Sequence, residues 1–126
     1  MRGVQFGAVF VIGAGLLLSA CGSSEFETKV VAQCEAGGKN GRFGVDKYDC
    51  ACVAKTLAGA LSSEDQSIYL TARVNGSGSA SDVEKGVRAT GADPKADNEG
   101  YRARLRAFLD AENVAEEKAE TDCKKG

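Results

Sequence analysis

Cys50-Ala51-Cys52 is the one place in this 126-residue chain where residue type and spacing suggest covalent chemistry. Two thiols so close together can cycle between dithiol and disulfide, and a thiol in the first turn of a helix is favoured as the thiolate by the helix dipole. The surroundings argue against such a cycle. Asp46 and Asp49 precede the pair and oppose a thiolate, and the established redox spacing is Cys-x-x-Cys within a strand-and-helix unit that this sequence does not show. A zinc site built with Cys34 and Cys123 would lack the paired Cys-x-x-Cys knuckles. The chain has no His, so the commonest general base and transition-metal ligand is missing. The acid pairs Asp46 with Asp49 and Glu64 with Asp65 stand at predicted helix starts, where capping accounts for them better than glycosidase chemistry does. No catalytic residue, metal or cofactor is therefore expected. Thiol-disulfide exchange at Cys50 and Cys52 is the enzymatic alternative to a non-enzymatic role.

The elements that position these cysteines read as helices. Ser24-Glu25-Phe26-Glu27 fits a capping box, and Phe26, Val30 and Cys34 repeat at four-residue steps until Gly37-Gly38. The glycine-rich stretch 37–46 reads as a connecting loop, because no strand precedes it and the Lys-Ser/Thr ending of a phosphate cradle is absent. A second helix is predicted over 47–61, capped by Asp46, with Cys50, Val53, Ala54, Leu57 and Leu61 on its core face and small residues that admit a close neighbour. Ser63 and Gln66 can box the start of a third. Residues 66–75 then alternate like a strand, but a lone strand leaves its backbone unpaired, so helix is the better reading. Ser81-Asp82-Val83-Glu84 opens a fourth helix that ends at Gly91. A long fifth, 98–123, carries Tyr101, Leu105, Phe108, Leu109, Ala115, Ala119 and Cys123 on one face. Arg102, Arg106 and Asp110 suggest a surface ladder, with Arg104 pointing the other way into solvent. Tyr48, Tyr69 and Tyr101 read as amphipathic edges of the core.

Residues 1–20 have the three parts of a secretory signal: Met1-Arg2, an apolar middle from Ala8 to Leu18, and the small pair Ser19-Ala20. Eighteen apolar-to-small positions interrupted by Gln5 and four glycines are too short and too broken for a span of about 20 residues, and no basic cluster follows. Leu18-Ser19-Ala20-Cys21 resembles the lipobox of bacterial lipoprotein precursors. The resemblance implies cleavage before Cys21, acylation of that cysteine, and attachment to a membrane facing the periplasm, the outer membrane being favoured by Gly22 in second place. Acyl chains contribute roughly 0.8 kcal/mol per buried CH₂, so two or three on one cysteine suffice for stable anchoring. Only Gly22 and Ser23 separate Cys21 from the first helix cap.

An exported small domain with four further cysteines reads as a disulfide framework. On a helix Cys50 and Cys52 lie about 200° apart, so Cys34 and Cys123 must each pair with one of them, and two connectivities remain open. The expectation is an all-α, disulfide-stapled domain of four or five helices spanning 24–126, after a signal peptide over 1–20 and a tether over 21–23. Formal net charge is −2 with no basic stripe, which counts against nucleic acid. The expected role is non-enzymatic: binding, envelope-structural or inhibitor-type, with a protein or cell-wall partner close to the membrane.

Overall fold

The computed structural model describes residues 24–37 and 43–126. The signal segment, Cys21 with its tether, and the middle of the glycine-rich loop lie outside the described residues. Among the described residues there are five α-helices: α1 Glu25–Glu35, α2 Cys50–Ala60, α3 Ser63–Tyr69, α4 Ala80–Ala89 and α5 Asn98–Asp122. The third runs directly into a π-helical turn, Leu70–Val74. The only β pairing among the described residues is an isolated bridge between Tyr48 and Lys124. This is a small all-α domain stapled by two disulfides. Among the described residues, no helix is long and apolar enough to cross a membrane.

Each helix begins on a side chain that accepts a backbone N–H, which satisfies one of the amides a helix start leaves unpaired. Ser24 takes the Glu27 amide at 3.2 Å, as the sequence predicts. Three other starts differ from the sequence reading by one to three residues. Asp49, not Asp46, caps α2 through the Cys52 amide at 3.1 Å. The preceding residues turn instead, with Tyr48 donating its N–H to Gly44. Ser62 rather than Ser63 caps α3, and the Gln66 amide reaches Ala58 and Leu61 carbonyls on the end of α2 rather than boxing its own helix. Ser79 caps α4 through the Asp82 amide.

The core forms where α2 packs against both α1 and α5 while α4 covers α3, the π turn and α5. Val53, Leu57, Ile68, Tyr69, Val87 and Phe108 are fully buried at its centre, and burying each such side chain contributes about 1.5–3 kcal/mol. Tyr48 and Tyr101 join this core together with Tyr69, and the Phe26 ring meets Tyr69 edge-on at 5.9 Å. Two core assignments are corrected. Leu109, placed on the buried face of α5 by spacing, is 41% exposed, because it lies about 100° round the helix from Phe108, off the buried line of Tyr101, Phe108, Glu112, Ala115 and Ala119. Of the small residues of α2, Ala54 is buried and Ala58 packs against the core, whereas Ala51, Gly59 and Ala60 are exposed; a further close approach is made by Gly86 of α4, where a Cβ would stand 3.1 Å from Ile68 Cγ2.

The ambiguous segment is helical over 66–74, with an i→i+5 bond from the capping Asn75 amide to the Leu70 carbonyl at 2.7 Å. Burial does not follow the strand-like alternation of the sequence: Ile68, Tyr69 and Ala72 lie inside, Leu70 and Val74 are only half-buried, and Arg73 reaches α5.

Candidate functional site

The four cysteines predicted to form bridges come together at the first turn of α2. Cys34, at the end of α1, is bonded to Cys50, and Cys52 is bonded to Cys123 at the end of α5, with Cα separations of 5.6 and 5.5 Å. Helical rotation points Cys50 and Cys52 to opposite sides, and each finds the helix end that lies on its own side. Thr56, one turn further along α2, has its hydroxyl 3.5 Å from Cys123 Sγ. Both candidate redox thiols are consumed in separate bridges, an arrangement that does not favour exchange between them. Among the described residues no group of three or more acids and cysteines is placed to hold a metal.

Sequence reasoning missed the most heavily engaged polar centre. Arg73, on the π turn, grips Glu112 of α5 with two parallel bonds, Nε to Oε2 at 2.6 Å and Nη2 to Oε1 at 2.8 Å, and a third from Nη1 reaches the Gly78 carbonyl at 2.9 Å. Bidentate guanidinium-carboxylate pairing is the strong form of the ion pair. The bonds from Glu112 hold the Arg73 cation above its ordinary pKa against the opposing effect of burial. The Tyr69 hydroxyl points at Glu116, 3.4 Å away. Burial first, and the negative charges of Glu116 and Glu112 second, push its pKa far above the usual value, so Tyr69 stays neutral. Glu112 occupies a core register of α5, between Phe108 and Ala115, and a carboxylate in that register was the available signal that a cation must lie opposite.

A second cation is also structural. Arg104, expected in solvent, turns towards the start of α3 and binds Glu64 at 2.5 Å and, with Nη2, Asp65. Partial burial works against this cation, but the bonds from Asp65 and Glu64 outweigh it and raise its pKa. The acids read as helix-start charges are thus a clamp between α3 and α5. Among the described residues Arg102 and Arg106 form no ion pair, so the predicted ladder to Asp110 is not made.

Between α1 and the segment after the π turn lies an open groove of about 640 Å³, bounded by Lys29 and Gln33 of α1, by its capping residue Ala36 and by Val74 to Ser77. Its floor is fixed by the Gln33 side chain, whose Nε2 donates to the Arg73 carbonyl and so bridges α1 to the turn. π turns are concentrated at functional sites, and a concave surface with a few fixed polar groups is the ordinary form of a binding site. What this arrangement can do is hold a ligand; its charged groups serve the fold. No family model matches the chain, and neither curated proteins nor solved structures show significant similarity to it.

Proposed function

We propose that this chain is a bacterial lipoprotein precursor whose mature domain, anchored through acylated Cys21, acts as a non-catalytic binding or envelope-structural module of the periplasmic face, at the outer membrane. The observation that carries the reading is the start of α1. A helix capped at Ser24, and braced through Cys34 to the rest of the domain, follows the lipobox cysteine after two residues. At about 3.5 Å per extended residue, that tether keeps the domain within roughly 10 Å of its anchor. A domain held so close meets partners at the membrane surface rather than deep in the periplasm. The occupied polar groups at Arg73 and Arg104 support a binding role over a catalytic one, since each is spent on joining helices.

The test is mass spectrometry of the N-terminal peptide from the membrane fraction, with separation of the two membranes by density. The expected result is a peptide beginning at acylated Cys21, enriched with the outer membrane, and release of a Cys21→Ser chain from the membrane. An unmodified Cys21, or cleavage elsewhere, would overturn the anchor.

A further inference from the structure

We propose that the outer face of α5 pairs antiparallel with α5 of a second copy of this chain. The side of α5 turned away from the core carries Arg106, Asp110, Asn113 and Glu117, all exposed and within about 60° of one another around the helix. Leu109 and Val114 flank that stripe, each about 70° from its centre. They are two of the three large apolar side chains exposed among the described residues, and Val114 is the most open of them at 64%. Neither Arg106 nor Glu117 makes an ion pair among the described residues. Within one copy they cannot serve each other, because their separation along the helix is about 16 Å.

The spacing of these residues is reciprocal. Arg106 and Glu117 lie equally far on either side of the point midway between Ala111 and Glu112, and so do Leu109 and Val114. A second α5 turned end for end about that point sets Arg106 opposite Glu117 of the second copy and Glu117 opposite its Arg106, so a single twofold rotation makes two ion pairs. The same rotation brings Leu109 beside Leu109 on one flank and Val114 beside Val114 on the other, each offset by about 7.5 Å along the helix axes. Packed helices approach to about 8–10 Å, which brings these side chains into contact. A parallel pair in register would set Arg106 against Arg106 and Glu117 against Glu117, which charge opposes. One contact resists the antiparallel pairing: the two Asp110 carboxylates come close beside the axis, with the Asn113 carboxamides between them. One helix pair buries less than the roughly 1,200 Å² of a standard interface, so the association is weak and reversible. It does not depend on the lipid at Cys21.

The test is sedimentation equilibrium of the mature chain carrying Cys21→Ser, from about 10 µM to about 1 mM. The expected result is a monomer–dimer equilibrium with a dissociation constant of roughly 100 µM, weakened several-fold at about 1 M salt, where charges are screened beyond about 3 Å. Arg106→Glu and Glu117→Arg lie on the open face of the helix, so each should leave the helical circular dichroism unchanged while weakening self-association about tenfold or more. Mixed in equal amounts, the two variants should pair with each other about as well as the unaltered chain pairs with itself, because each supplies the charges the other lacks. Asp110→Asn should tighten the dimer about threefold. A chain monomeric up to about 1 mM, a dimer indifferent to either charge reversal, variants that do not associate on mixing, or a dimer that Asp110→Asn fails to tighten would each overturn the proposal.

Discussion

Glu112→Gln should destabilise the domain by about 3 kcal/mol. The substitution is nearly isosteric, so packing around the site is kept and the loss is electrostatic. Arg73 would retain its bond to the Gly78 carbonyl but face a neutral amide whose oxygen can accept one of the two donors that Glu112 now receives and whose nitrogen accepts neither. Removing one member of a buried pair typically costs about 3–5 kcal/mol, because the surviving charge is left uncompensated. The lower end applies here: the Glu112 side chain is 6% exposed, but Arg73 keeps 22% of its surface in water and can be partly resolvated. Urea unfolding followed by circular dichroism, with both disulfides intact, is the assay. With a slope of about 2 kcal/mol per molar for a domain of this size, the midpoint should fall by roughly 1.5 M with the slope unchanged. The paired substitution Arg73→Met with Glu112→Leu should recover most of the loss, since a buried ion pair often does no better than an apolar pair of similar volume. A midpoint shift under about 0.3 M for Glu112→Gln, or a double substitution as damaging as the single one, would refute the reasoning.

The two bridges differ in what they close. Removing Cys34–Cys50, which spans a sequence separation of 16, should cost roughly 3 kcal/mol, and removing Cys52–Cys123, which spans 71, roughly 4 to 5, a ranking checked by paired Cys→Ser variants in the same unfolding assay. Gly86→Ala should lower stability by about 1–3 kcal/mol, because its methyl would press on both the side chain and the backbone of Ile68; a neutral effect would mean α4 can slide outward freely. Bonds from the Ser77 hydroxyl and amide hold Asp82 below the ordinary carboxyl pKa. The ionised form therefore stabilises the fold above about pH 4, and the contribution is lost as acid titrates the group through its lowered value. Asp82→Asn should flatten that part of the acid-unfolding curve, and superimposable curves would contradict the assignment.

The helices were legible because their signals are local. A Ser or Asp followed by an apolar residue every third or fourth position fixes a start and a face, and the errors of one residue at Ser62 and two at Ser79 arise because nearby serines offer the same oxygen. The bridges were half legible. Rotation along α2 separates Cys50 from Cys52, but which takes Cys34 depends on the side of α2 against which α1 lies, a tertiary fact. The π turn was not legible, since its i→i+5 bond from Asn75 to Leu70 joins backbone groups that any residue carries. The pairs Arg73 with Glu112 and Arg104 with Asp65 join residues 39 positions apart, and nothing in local spacing selects one partner among many surface charges. The groove was hidden for the same reason: Gln33 and Asn75 are unremarkable alone and matter only where the π turn meets α1.

The first turn of α2 also decides how the molecule would carry a pull. Tension applied between Ser24 and the C-terminus passes along α1 to Cys34, crosses to Cys50, moves two residues to Cys52 and crosses again to Cys123. Only 24–34, 50–52 and 123–126 lie on that line, and each of those residues can lengthen it by at most about 3.5 Å. The two covalent loops, including α3, the π turn, α4 and nearly all of α5, hang beside the load path. A domain pulled between these two ends would thus stretch briefly and stop, with the π turn in the slack part of the chain.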